Sequence, residues 1–232
     1  MKAQIAGKPL MSTTDWLSKV CSLVFFVGCN FRCRYCFNTP LLEFNDQYQV
    51  DLERVYQELD LSRYLIDAVL ATGGEPTLQP EPLQALAEWT HTHDLLFGIM
   101  TNGTKPLVIQ QLIDAKLLDY VALDVKTVPD EKQYSEITQI SKPILSSINK
   151  TVSILKKSKI NYEFRTTLVP SLISDLNKIQ RIIDWIGSEH YMLQVFRPTD
   201  TVLDRTLKDS FTSDQIEMLR EFAKNNGIQA RF

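Results

Sequence analysis

Histidine is nearly absent from this chain. Only His91, His93 and His190 occur among 232 residues, and none is spaced from another, or from a cysteine, as a histidine metal site requires. They read as surface or capping residues. No serine or cysteine sits in a G-x-S-x-G elbow, so a hydrolytic triad lacks its nucleophile. No G-x-G-x-x-G occurs either, so electrons for any redox step must come from a separate donor. Long hydrophobic runs are missing, and no cleavable leader is recognisable, which predicts no membrane span and a cytoplasmic, reducing location. Charge is close to balanced. A formal net charge of -3 argues against a nucleic-acid backbone footprint, and Lys156, Lys157 and Lys159 read as a solvated helix end.

What remains is the composition of an ordinary enzyme core, with 44% hydrophobic and 23% charged residues. It predicts a single domain over 1–232, with its core at about 19–200, an N-terminal segment 1–18 and a C-terminal helix and tail 201–232. Apolar runs predict strands near 20–27, 64–72, 95–101, 119–125, 161–169 and 190–197. Helical periodicity falls near 51–60, 80–92, 106–117, 143–158, 174–187 and 213–225. Such alternation implies a parallel α/β sheet. Six units are too few for a closed eight-stranded barrel and fit an open, partial (β/α)6 barrel.

Cysteine is scarce but clustered. Of the four, three lie in Cys29-Asn-Phe-Arg-Cys33-Arg-Tyr-Cys36, directly after the first apolar strand. Three thiolates so close in sequence suit an iron-sulfur cluster, and three ligands leave one iron open to bind something else. The competing arrangement is a structural zinc knuckle with Cys21 as fourth ligand, although a cysteine inside a strand is ordinarily a small core residue. A disulfide framework is disfavoured, because the chain is not small and the clustered thiols are odd in number.

The other polar motifs all fall at strand C-terminal ends, where ligands bind in parallel α/β folds. Ala71-Thr72-Gly73-Gly74-Glu75-Pro76 follows the second strand, and paired glycines allow close backbone approach to a ligand. Thr101-Asn102-Gly103-Thr104 follows the third strand, and Asp124-Val125-Lys126 the fourth. Taken as bare sequence, a Gly-Gly-x-Pro or Asn-Gly stretch is an ordinary turn, and Asp124 with Lys126 a surface pair. Arg165 shares a strand face with Thr167, as a carboxylate-binding residue or one half of a structural ion pair. Arg197 sits at the end of the sixth strand. Arg32 and Arg34 could offset cluster charge or dock an acidic donor.

The C-x-x-x-C-x-x-C loop, joined to G-G-E-P-T-L-Q, T-N-G-T and D-Y-V-A-L-D-V-K, resembles the radical S-adenosylmethionine enzymes over roughly 12–200. Within them the chain looks most like the activating proteins of glycyl radical enzymes, those of anaerobic ribonucleoside-triphosphate reductase and of pyruvate formate-lyase. The resemblance implies a [4Fe-4S] cluster on Cys29, Cys33 and Cys36, with S-adenosyl-L-methionine on the open iron. It implies cofactor contacts from Tyr35, Phe37, Gly73, Gly74, Glu75, Asn102, Asp124, Lys126, Arg165 and Arg197. It also implies a glycyl radical enzyme as protein substrate and a flavodoxin or ferredoxin as electron donor.

Three positions depart from those relatives. Phe37 stands where histidine is common, Asp15-Trp16-Leu17-Ser18 replaces an Asp-x-Pro-Gly turn, and Met100 replaces an aspartate before Thr-Asn-Gly. The alternatives are a small-molecule radical enzyme resembling 7-carboxy-7-deazaguanine synthase, and a non-catalytic iron-sulfur or zinc protein.

Overall fold

The computed structural model describes residues 1–232. Its strands are β1 (Lys2–Ser12), β2 (Cys21–Phe26), β3 (Gln49–Asp51), β4 (Ala68–Gly73), β5 (Leu96–Thr101), β6 (Tyr120–Asp124), β7 (Asn161–Leu168), β8 (Tyr191–Val195) and β9 (Gln229–Arg231). The helices are α1 (Leu52–Asp60), α2 (Pro80–Thr92), α3 (Pro106–Asp114), α4 (Glu131–Thr138), α5 (Leu145–Lys157), α6 (Leu176–Ile186) and α7 (Ser213–Asn225). One sheet runs β3-β1-β2-β4-β5-β6-β7-β8-β9. Along β2-β4-β5-β6-β7-β8-β9 every pairing is parallel, while β1 is antiparallel to β2 and to β3, which forms the far edge. The end strands do not pair with each other, so the architecture is an open, partial α/β barrel.

All six expected parallel strands are present, and three more extend the sheet. The segment before residue 19 contributes β1, in which buried Ala3 and Ile5 alternate with more exposed neighbours. The C-terminal tail adds β9 beside β8. Helix starts follow local chemistry. Proline occupies the first turn of α2 and α3, where its missing N–H costs nothing, and Thr212 with Gln215 forms a capping box on α7. α4 was not expected, yet Asp130 caps it by accepting from the Gln133 main-chain N–H at 2.9 Å.

Strand alternation divides the apolar residues between two faces. Val24, Phe26, Val69, Ala71, Phe97, Ile99, Val121 and Leu123 face the helices in one large core. On the concave face Cys21, Ala68, Leu70, Tyr120 and Ala122 surround Trp16. Trp16 stacks on Tyr120 with centroids 4.4 Å apart and planes 15° from parallel. The unusual Asp15–Ser18 segment therefore closes the floor of the barrel.

Arg165, only 1% exposed, ties this floor to β7. Its guanidinium donates to the Glu163 carboxylate, to the Asp15 carbonyl and, at 2.9 Å, to the Tyr120 hydroxyl. Removing one partner of a buried ion pair leaves the other charge uncompensated. Glu163→Ala is accordingly expected to destabilise the protein by about 3–5 kcal/mol, whereas Glu163→Leu with Arg165→Met should cost much less. Urea unfolding checks this, and a Glu163→Ala loss within about 0.5 kcal/mol, as at a neutral surface site, would refute it.

Candidate active site

The cysteine loop begins where β2 ends, and its backbone is clamped on three sides. Gly28 and Cys29 main-chain N–H groups donate to Leu41 and Leu42 carbonyls, both at 2.9 Å. Arg32 and Arg34 donate to Thr138 and Ile137 carbonyls at 2.8 and 3.0 Å, using the last carbonyls of α4 that a helix C-terminus leaves free. Leu203 and Asp204 donate to the Cys36 and Arg34 carbonyls at 2.8 and 2.9 Å. Arg34 also pairs with Asp204 at 2.8 Å, and Arg32 pairs with Glu43. Both arginines are thus ion-paired with neighbouring carboxylates.

Burial pushes the free Cys29 thiol up to about 11 and Cys33 to about 12, and raises Cys36 as well. Cys29 and Cys36 each raise Cys33, and all three thiols feel the Lys126 ammonium, which lowers them. The Phe31 main-chain N–H donates to Cys29 Sγ at 3.4 Å. Three thiols from one eight-residue run, met by a cation and an N–H donor, suit thiolate ligands. They do not close to the spacing of a single ion's ligand set, and in a polynuclear cluster each thiolate takes its own iron. Cys21 begins β2, and the strand's six residues put it roughly 16 Å from the loop at about 3.3 Å per residue. A zinc knuckle using Cys21 is thereby ruled out.

The neighbouring strand ends are packed onto this loop. Gly74 and Glu75 main-chain N–H groups donate to the Phe26 and Gly28 carbonyls at 2.8 and 2.7 Å. Gly73 has φ +111°, outside ordinary L-residue space. Gln79, the last residue of the G-G-E-P-T-L-Q stretch, is a clasp. Its side chain donates to the Gln4 and Val27 carbonyls at 2.9 and 3.0 Å and accepts from the Gln4 N–H at 2.9 Å.

Several of the residues expected to contact the cofactor also hold the walls of the site. Glu75 is buried, and its carboxylate accepts from the Thr77 N–H at 3.1 Å, the Thr77 hydroxyl at 2.5 Å, the Thr101 hydroxyl at 2.7 Å and the Asn102 N–H at 2.7 Å. It brackets β4 to β5 rather than presenting an open charge to an ammonium. Burial raises its pKa despite these four bonds. The Asn102 amide bonds to Asn30 and Thr104, not to open solvent. Arg165 reaches for the floor, with Nη1 buried and unpartnered. Arg197 lies exposed beyond β8, and Phe37 is 60% exposed at the rim.

Asp124, Lys126 and Tyr35 do converge. Lys126 Nζ donates to Asp124 Oδ2 at 2.9 Å and lies 5.9 Å from the centre of the Tyr35 ring. The lysine side chain is 14% exposed and the aspartate 31%, so the pair is half-buried at the mouth and not a free surface pair. Burial opposes the Lys126 charge, but the Asp124 carboxylate at 2.9 Å outweighs it and holds the ammonium protonated. The buried Tyr35 hydroxyl has no partner. A buried polar atom of this kind fits a site completed by a ligand.

Comparison with known proteins agrees with this geometry. The Radical SAM superfamily, in which SAM stands for S-adenosylmethionine, matches residues 23–186. The chain belongs to the radical SAM superfamily. A Methanocaldococcus jannaschii protein named as a candidate glycyl-radical enzyme activating enzyme is 33% identical over 203 residues, covering 86% of this chain and 82% of its own. The pyruvate formate-lyase-activating enzyme of Clostridium pasteurianum is 27% identical over 169 residues, covering 71% and 68%. In structure, a radical SAM methyltransferase from Sphaerobacter thermophilus superposes with a TM-score of 0.69 at 12% identity, over 99% of this chain and 76% of that one; at that identity the match shows the fold alone. Membership of the radical SAM superfamily implies a four-iron cluster and S-adenosylmethionine. The thiol trio, with Cys33 buried and Cys29 and Cys36 partly so, and the orphaned Tyr35 hydroxyl fit both.

Proposed function

We propose that this radical SAM enzyme activates a glycyl radical enzyme. The similarity to the Methanocaldococcus jannaschii protein, spread over most of both chains, carries the reading. When bound, the cluster and S-adenosylmethionine together supply the chemistry: one electron cleaves the sulfonium to methionine and a 5'-deoxyadenosyl radical, which takes a hydrogen atom from a glycine Cα of the partner. No general acid or base is needed for that step. The chain's own work is to bind, orient and exclude water.

In this reading Cys29, Cys33 and Cys36 hold the cluster. The main chain of Gly73 and Gly74, with Tyr35, Asp124 and Lys126, lines the cofactor. Lys126 brings a fixed positive charge to an anionic site, suited to the cofactor's carboxylate. Glu75, Asn102 and Arg165 keep the walls in place, while Phe37 and Arg197 stand at the rim. The sheet's unpaired ends leave the concave face open to an extended segment of a partner protein. The whole chain, 1–232, acts as one radical domain with its core at about 19–200. It works in the reducing cytoplasm, where an open-iron cluster survives, and takes its electron from a flavodoxin or ferredoxin. No helix is long and apolar enough to cross a membrane.

The test is anaerobic incubation of reconstituted protein with S-adenosylmethionine, dithionite and the anaerobic ribonucleotide reductase or pyruvate formate-lyase of the same organism. A glycyl radical signal on the partner, with 5'-deoxyadenosine formed in step, is expected. Deoxyadenosine without any partner radical would sink the activase assignment in favour of a small-molecule radical enzyme of the 7-carboxy-7-deazaguanine synthase kind.

A further inference from the structure

Three side chains from two loops close a ring of hydrogen bonds beside the first cysteine. Asn30 Nδ2 donates to Thr104 Oγ1 at 2.8 Å, Thr104 Oγ1 donates to Asn102 Oδ1 at 2.7 Å, and Asn102 Nδ2 donates to Asn30 Oδ1 at 2.8 Å. Each member gives one bond and takes one. The Thr104 main-chain N–H also donates to Asn102 Oδ1 at 3.1 Å, which fixes that amide's orientation and with it the direction of the whole ring. Bonds arranged head to tail polarise one another, so the ring is stronger closed than as separate pairs.

The ring is anchored beyond itself. The Asn102 N–H is held by Glu75 and the Gly103 carbonyl accepts from Thr151 Oγ1 on α5 at 2.7 Å. Asn102 is 5% exposed. On the other side the ring ends on Asn30, the residue next to Cys29. It is therefore the side-chain link between the cysteine loop and the end of β5.

We propose that Asn30, Asn102 and Thr104 are positioning residues, which set where the cluster stands relative to the strand ends that receive S-adenosylmethionine. The assignment rests on the reading of Cys29 as an iron ligand. It differs from a direct ribose contact by Asn102: that amide's oxygen is already taken by two donors, and one of its two N–H groups is spent on Asn30. The physical consequence concerns registry, not assembly. Cys33 and Cys36 are held separately, by α4 and by residues 203–204, and the Gly74 and Glu75 N–H groups still join the loop to β4, so the cluster still forms when the ring opens, but the loop loses its registry with the end of β5.

Thr104→Val removes the one hydroxyl that both gives and takes within the ring, at nearly constant volume, and Thr104→Ser keeps it. Both are compared with wild type as anaerobically reconstituted holoprotein. The readouts are iron and sulfide content, dissociation constant for S-adenosylmethionine, and the change in the reduced cluster's EPR spectrum when S-adenosylmethionine is added. Thr104→Val is expected to load iron as wild type does, bind S-adenosylmethionine about three- to tenfold more weakly, as loss of about 1 kcal/mol from the two ring bonds of that hydroxyl implies, and show an altered spectral change. Thr104→Ser should restore both. The proposal is overturned if Thr104→Val matches wild type in affinity and spectrum, if the serine variant fails equally, or if iron content falls in proportion to affinity. Wild-type protein that assembles no four-iron cluster would instead overturn the functional reading beneath it.

Discussion

Cys33→Ser is expected to reduce 5'-deoxyadenosine formation to background and to remove the iron-sulfur absorption of the reconstituted protein. Cys33 is the middle cysteine of the loop and is only 7% exposed. Its thiol feels Cys29, Cys36 and Lys126 together. Burial pushes the free thiol up to about 12, so at neutral pH the deprotonated form exists there only when a metal stabilises it. Serine cannot substitute, since its hydroxyl is far less acidic and a hard oxygen is a poor ligand for iron-sulfide chemistry. The informative control is Cys21→Ser. Cys21 is equally buried, but it pairs with Ser12 and Ala68 at the far end of β2 and packs against Trp16 and Tyr120. That variant should keep its cluster and its activity. Iron analysis and chromatographic detection of 5'-deoxyadenosine on both proteins decide the matter; loss in Cys21→Ser with retention in Cys33→Ser would reverse the ligand assignment.

The fold was legible in the sequence wherever burial alone set the pattern. The six parallel strands β2, β4, β5, β6, β7 and β8 are covered on their outer face by helices, and their apolar runs follow from that. The edges were harder to read. β3 and β9 have three residues each, too few to show a period of two. β1 alternates only through Ile5, before the irregularity between Ala6 and Leu10 breaks its register with β2. α4 lies outside the βα rhythm, and the Asp130–Gln133 start signal was its only trace.

The site divides in the same manner. Cysteine spacing is a local property and survives in one dimension. Whether Glu75 faces a ligand or its own chain depends on where Thr101 and Asn102 stand, 26 and 27 residues later. Charge at a strand end marks the mouth of the barrel, but only the tertiary structure shows which polar groups are already taken. Asn30 carried no signal beyond its place inside the cysteine loop, and Arg165 became interpretable only once Asp15, Tyr120 and Glu163 were seen around it.

Gly74→Ala tests the tightest point of this assembly, and it is expected to cost about 3 kcal/mol or more, beyond ordinary overpacking, and to prevent stable cluster assembly. A β-carbon on Gly74 would collide with the Gly28 carbonyl oxygen and approach the Gly28 carbonyl carbon and the Leu41 oxygen at 2.8 Å each. All three are backbone atoms, so no rotamer change relieves the overlap. The Gly28 carbonyl is also the acceptor of the Glu75 N–H at 2.7 Å. Relieving the clash therefore pulls the cysteine loop off the end of β4 and breaks the bond that joins them. Gly227→Ala supplies the comparison. That glycine, just after α7, has φ +66°, and its β-carbon would meet nothing within 4 Å, so only the left-handed backbone penalty of about 1–2 kcal/mol applies. The two costs differ in kind: Gly227→Ala should lower stability with cluster content unchanged, whereas Gly74→Ala should lose iron even at temperatures where the protein remains folded. Circular dichroism melting alongside iron content separates them. If Gly74→Ala retained a full complement of iron and wild-type stability, the loop and the Gly-Gly turn would not be the single packed unit on which the placement of cluster and cofactor depends.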